Sequence, residues 1–172
     1  NSRTRPQRHR ATDAPAAPVE AMPDSSAYDA DVVLRDGSTV RLRPARAEDR
    51  DALRAFYERL SPESRYYRFF GKPRVENIVD DVVRAVGSDG TFTLLAEVDH
   101  DVVAIGQYFP SAEVPGRAEA AFAISDTQQG KGIGTKLLER LGAVARSRGI
   151  TAFEAYLLFD NQKMRRMFLD AG

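Results

Sequence analysis

Residues 121 to 141, AFAISDTQQGKGIGTKLLERL, constrain this chain more than any other stretch. Small apolar residues lead up to Ser125-Asp126, and glycines then occupy positions 130, 132 and 134. Ile133, Leu137, Leu138, Leu141 and Val144 follow at helical spacing. A strand therefore passes almost directly into a helix, through a turn of unusual backbone freedom. Arginines at 146 and 148 and Gly149 close that helix.

The flanking sequence supplies elements of both periods. Asp36-Gly37 marks a hairpin, with Val40 and Leu42 facing in and Arg41 and Arg43 out. AEDRDALRAFYERL predicts a helix with Leu53, Phe56, Tyr57 and Leu60 on one face and the acids Glu48 and Asp49 in its first turn. In SPESRYYRFFG, Ser61 is the expected N-cap and Pro62 the first helical residue. VENIVDDVVRAVG predicts a third helix, apolar at Val75, Ile78, Val79, Val82, Val83 and Val86 and ending at Gly87. The period then changes. TFTLLAEV, VVAIGQYF and AEAAFAIS read as strands, the first two joined by Asp99-His100-Asp101. After the glycine turn and its helix come a strand, TAFEAYLLF, and a last helix, NQKMRRMFLDA. This order predicts an α/β sandwich built on a mixed sheet. Residues 1–28 lack hydrophobic periodicity and are expected to form a disordered arm, with the domain spanning 29–172. The arm's arginines at 3, 5, 8 and 10 either stay solvated or touch an acidic partner.

Composition narrows the chemistry. Lys plus Arg equals Asp plus Glu, 25 against 25, so no overall field recruits nucleic acid or an anionic membrane. No apolar run approaches the roughly 20 residues that span a bilayer, and no signal-peptide core is seen. The absence of cysteine removes disulfides, thiolate metal sites and a cysteine nucleophile. With only His9 and His100, neither a histidine triad nor a histidine-ligated metal is expected. A cytoplasmic domain without a metal is the expectation.

The glycine turn fits neither of two common phosphate motifs. A P-loop needs Gly-Lys-Ser/Thr, whereas Gly134 precedes Thr135-Lys136. The dinucleotide fingerprint needs a glycine where Thr135 stands. Gln129-Gly130-Lys131-Gly132-Ile133-Gly134 is either a flexible connection or an anion site. In the second case the first helical amides and the positive end of the helix dipole face the anion, glycines admit close approach, and Lys131 adds charge.

At these residues the chain resembles the GNAT family of N-acetyltransferases. The family's pyrophosphate loop reads Arg/Gln-x-x-Gly-x-Gly/Ala, and Gln129, Gly132 and Gly134 match its fixed positions. The resemblance covers roughly residues 36 to 172. It implies a mostly antiparallel sheet in a three-layer sandwich, and acetyl-CoA as co-substrate. Its pantetheine arm would run beside Phe122, Ala123 and Ile124, and its pyrophosphate would sit on the amides of Gly130, Lys131, Gly132, Ile133, Gly134 and Thr135. Asn161 matches the family's asparagine near the CoA arm, and reads equally as an N-cap.

Acetyl transfer needs a neutral amine, and a lysine of pKa about 10.4 is only about one part in 2500 neutral at pH 7, a deficit of roughly 4.6 kcal/mol. A carboxylate near the thioester could remove the proton. Alternation sets Ala118, Ala120, Phe122 and Ile124 on one face of their strand, and Glu119, Ala121 and Ala123 on the other. Glu119 is the candidate base; family bases often lie on this strand, and a half-buried setting would raise its pKa. The other reading is a solvent-facing carboxylate. Many relatives also carry a tyrosine seven residues after the asparagine as acid for the leaving thiolate, but here that residue is Phe168, and Tyr156 is a weak substitute.

LRDGSTVRLRPARAEDRDALRAFYERLSPESRYYRFFG further resembles the opening of Pat-type bacterial protein lysine acetyltransferases. That implies a lysine acceptor on a protein, such as an acyl-CoA synthetase, and often a fused further domain. Arg65, Tyr66 and Arg68 would line the acceptor side or serve packing. Relatives continue past LDAG into a final hairpin, so a fragment of a longer protein is expected. A small-molecule amine N-acetyltransferase and a non-catalytic acyl-CoA-binding module remain open alternatives.

Overall fold

The structure, a computed structural model, describes residues 28–88, 90–157 and 160–170. The expected arm falls, but for Tyr28, outside them; the Tyr28 ring packs edge-on against Phe92 at 5.4 Å. Gly37 takes φ +84° and turns β1 (Ala30–Val33) back onto β2 (Thr39–Pro44). A 3-10 turn at Ala47–Asp49 leads into α1 (Arg50–Arg59), followed by α2 (Pro62–Phe69) and α3 (Val75–Ala85). Strands β3 (Phe92–Val98), β4 (Asp101–Pro110) and β5 (Arg117–Ile124) come next, then α4 (Ile133–Ser147), β6 (Ala152–Glu154) and α5 (Gln162–Asp170).

The six strands lie in sequential order from β1 to β6. Every pairing is antiparallel except β5 with β6, the one that needs a helical crossover, and α4 supplies it. Helices cover both faces, giving the mixed-sheet, three-layer sandwich. On one face Leu94, Tyr108, Phe122, Leu137 and Leu141 form a core with α4, flanked by Met167 and Phe168 of α5. On the other, Leu53, Phe56, Tyr57, Val79, Leu95 and Ile105 join α1 and α3. No helix among the described residues is long and apolar enough to cross a membrane.

Three expectations need correction. Arg43 does not face out: it is buried and held by Asp49 and Glu97, whose charges compensate its own. Asp49 is not in the first turn of α1; it sits at the N-cap position, and its carboxylate accepts from the Arg46 N–H at 2.7 Å while binding Arg43. TAFEAYLLF pairs only over Ala152–Glu154; Ala155 to Leu157 leave the ladder, and residues 158–159 lie outside the described ones. Ser61 caps α2 as expected, its hydroxyl accepting from the Ser64 N–H at 3.1 Å behind Pro62.

Candidate active site

The candidate site lies where β5 parts from β6. Their ladder runs from Arg117↔Ala152 to Glu119↔Glu154 and stops, while β5 continues to Ile124. The β5 edge from Ala120 to Ile124 thus has no ladder partner on that side among the described residues. Such an edge presents main-chain N–H and C=O groups, which suit a linear amide-bearing ligand as they suit an added strand.

At the end of β5 the three glycines of the turn serve two different purposes. Gly130 and Gly132 have φ of +81° and +92°, and a Cβ on either would meet nothing within 4 Å. These two set the turn and leave open space above its amides. Gly134 has another reason: a Cβ there would lie 2.5 Å from Met167 Sδ and 2.8 Å from Ile124 Cδ1, so its bareness lets α4 pack against α5 and β5. A cavity of about 200 Å³ opens beside the turn, lined in part by Arg35, Lys131, Gly132, Thr135 and Lys136. Glu139 also lines it and pairs with Lys136 at 3.0 Å, which leaves Lys131 beside the helix N-terminus and Arg35 of the facing hairpin as the cations that suit a pyrophosphate. The sequence pattern pointed to Lys131; Arg35 comes from the distant β1–β2 hairpin and carried no signal.

Gln129 does not present its amide to that space. Its Nε2 donates to Ile124 O and to Ser64 Oγ, both at 3.2 Å, and its Oε1 accepts from Lys163 Nζ at 3.1 Å. Asn161 Oδ1 accepts from the Met164 N–H at 3.2 Å, so the N-cap reading holds. Phe168 packs edge-on against Phe122 at 5.6 Å and belongs to the core.

Alternation along β5 is as expected: Ala118, Ala120 and Phe122 join the α4 core, and Ala123 the α1 core. Glu119 is exposed rather than half-buried. It shares a face with Gln107, which stands opposite Ala121 across the β4–β5 ladder. Gln107 is 2% exposed; its Nε2 donates to Thr93 Oγ1 at 3.1 Å and its Oε1 accepts from Arg68 Nη2 at 3.1 Å. Burial pulls the Arg68 guanidinium below its ordinary value, and the nearby Tyr57 and Glu119 act against that pull. Tyr57 Oη and Arg68 Nε are buried without a partner. A polar row thus crosses from β3 through β4 to α2 and ends beside Glu119. Sequence reasoning missed it, although a glutamine inside the apolar VVAIGQYF was a usable sign. Arg65 is half-buried and Tyr66 exposed. On the same helix Tyr67 donates to Glu63 Oε1 at 3.3 Å; partial burial, then the nearby carboxylates of Asp160 and Glu63, raise the phenol above its ordinary value. A larger open groove of about 550 Å³, lined by Asp29, Arg41, Glu97 and His100, lies along β1–β3, away from this constellation.

Comparison with known proteins agrees with this fold. The family model described as "Acetyltransferase (GNAT) family" matches residues 50–172. The chain is 33% identical over 144 residues to an acetyltransferase of Pseudomonas aeruginosa, covering 81% of this chain and 77% of that one. It superposes on the GNAT domain of PAT from S. lividans with a TM-score of 0.78 at 40% identity, covering 88% of this chain and 90% of that one. A cAMP-binding acyltransferase from Mycobacterium smegmatis matches with a TM-score of 0.60 at 26% identity, over 86% of this chain but only 44% of that protein.

Proposed function

Since the chain belongs to the GNAT acetyltransferase family and is an acetyl-CoA-dependent N-acetyltransferase, we propose that it acetylates a lysine side chain of a protein, an acyl-CoA synthetase being the substrate tested first. The observation that carries this reading is the 40% identity to the GNAT domain of PAT across nearly the whole chain. The exposure of Glu119 supports it, because a lysine on a bulky partner needs an open approach. A cytoplasmic setting is part of the same reading.

Acetyl-CoA supplies an activated acyl group. In this reading the amides of Gly130 to Thr135, with Lys131 and Arg35, hold its pyrophosphate. The unpaired β5 edge at Phe122, Ala123 and Ile124 holds the amide-bearing arm, and Asn161 borders it at the start of α5. Glu119 takes the proton from the lysine ammonium, directly or through a water, so that the amine attacks as a free base. Phe168 provides no proton for the thiolate, whose low basicity lets it leave unassisted.

The test is transfer from labelled acetyl-CoA to a panel of an acyl-CoA synthetase, a basic histone-like protein and small polyamines, using wild type and Glu119→Gln. We expect label on one lysine of the synthetase, and a rate about 10²–10⁴-fold lower in the variant with CoA binding retained. Label confined to polyamines overturns the protein acceptor; an unchanged rate in Glu119→Gln overturns the base. Binding of CoA with no transfer to any member would mark an acyl-CoA-binding module.

A further inference from the structure

The helix that flanks Glu119 is tied to the glycine turn by a chain of hydrogen bonds in which each hydroxyl donates once and accepts once. Asp126, just past β5, accepts through Oδ2 from the Ser61 N–H at 2.9 Å. Its Oδ1 accepts from Ser61 Oγ at 2.8 Å and from Ser64 Oγ at 2.7 Å. Ser61 Oγ in turn accepts from the Ser64 N–H, and Ser64 Oγ accepts from Gln129 Nε2. Gln129 immediately precedes Gly130 and is bound on its other side by Lys163 of α5. One end of α2 is thus fastened to the turn, and one helical turn further along Arg68 bonds Gln107 beside Glu119.

Gln129 anchors the start of the turn, but beyond it Gly130 and Gly132 have no side chain to brace the main chain. Gly130 and Gly132 make no side-chain contacts, and the space around a Cβ at either is empty to 4 Å. A ligand on the amides of residues 130–135 would fix the main chain at Gln129, and with it the side-chain amide that reaches Ser64.

We propose that Asp126 is a positioning residue that couples occupancy of the Gly130–Thr135 turn to the placement of α2, so that CoA binding sets the acceptor-side wall before the acceptor arrives. This inference rests on the reading of the turn as the CoA pyrophosphate site. Partial burial works against ionisation of Asp126, but the Ser61 N–H and the two hydroxyls hold its carboxyl below the usual range, so the latch is closed at neutral pH.

Amide hydrogen exchange, read by mass spectrometry on the full chain with and without CoA, tests it. In wild type, CoA is expected to slow exchange at residues 130–137 and, by about tenfold, at residues 62–69. Asp126→Ala and Ser64→Ala are expected to keep the first effect and lose the second, while Asp126→Glu restores part of it. Coupling is reciprocal, so CoA should bind Asp126→Ala more weakly by no more than the factor lost in α2. A merely structural role would speed α2 exchange equally with and without CoA and leave the CoA-dependent slowing in place; that result overturns the proposal. So does a wild type in which CoA protects 130–137 but not 62–69. If CoA protects neither segment and calorimetry detects no binding, the pyrophosphate-site reading itself has failed, a distinct result. Two variants that cut the chain of bonds at different atoms guard against a single misfolded one.

Discussion

Tyr57 is where a single residue says most about this fold. The sequence places it correctly on the inner face of α1, and it is fully buried, edge-on to Phe56 at 5.0 Å. Its hydroxyl has no partner. Burial pushes the phenol up to about 12, with Arg68 opposing weakly. A buried hydroxyl without a hydrogen bond carries its full desolvation penalty, so Tyr57→Phe should raise stability by about 1–2 kcal/mol. The pH dependence has a fixed sign. Below the unfolded phenol's value of about 10 both states are neutral; between there and about 12 only the unfolded chain ionises, so wild-type stability falls as pH rises. Denaturant titrations at pH 8 and pH 11 check this, and the advantage of Tyr57→Phe should widen at the higher pH. A variant less stable than wild type would mean that the hydroxyl is bonded in solution. Periodicity made the burial of Tyr57 legible; whether its hydroxyl is satisfied depends on Arg68, which lies on another element.

At the scale of elements, the glycine turn was the most legible feature and also the least completely read. Spacing gave a strand, a turn and a helix, and the structure has all three. Spacing could not separate glycines needed for positive φ from a glycine needed for close packing, because the difference lies in Met167, a helix away. Substitution separates them. Gly132→Ala meets no atom within 4 Å but must hold φ +92°, at a cost of about 1–2 kcal/mol. Gly134→Ala has helical φ but drives a methyl into Met167 and Ile124, at about 1–3 kcal/mol. In a Met167→Ala background much of the second penalty should vanish and none of the first, as thermal unfolding of the three single and two double variants would show. The same limit explains the short β6. TAFEAYLLF alternates like a longer strand, yet its ladder ends at Glu154, because pairing depends on where β5 runs. The candidate site lies in that divergence. Glu119 and the loop glycines could be put forward as candidates from the sequence; the open edge between them, and the Gln107–Arg68 row behind Glu119, are properties of registry.

For the molecule as a whole, the sheet is shared by two cores on opposite faces, and charge helps hold the sheet to its connections. Arg43 of β2 donates to Glu97 of β3 through Nε at 2.8 Å and Nη2 at 2.5 Å. It also donates to Asp49 through Nη1 at 2.8 Å and Nη2 at 2.7 Å, and to Pro44 O at 3.1 Å. The three side chains are only 9–11% exposed. By contrast, Arg117 and Glu154 meet at 2.5 Å across β5 and β6 with 52% and 44% of their side chains exposed. Counted as ion pairs the two look alike; burial separates them. Removing Arg43 strands two carboxylates in a low dielectric, so Arg43→Ala should cost about 3–5 kcal/mol. Arg117→Ala, at an exposed pair, should cost no more than about 1 kcal/mol. Acid supplies the control. Burial tends to raise the Asp49 carboxyl, yet Arg43 and the Arg46 N–H hold it below the ordinary carboxylate value, so this contribution to stability is present above that value and lost as pH falls through the lowered one. The gap between wild type and Arg43→Ala in urea unfolding should therefore be full at pH 7 and narrow as the medium is acidified toward pH 3, because protonation relieves the variant's stranded carboxylates. A gap that stays constant with pH would assign the loss to the packing of the Arg43 stem instead of its charge.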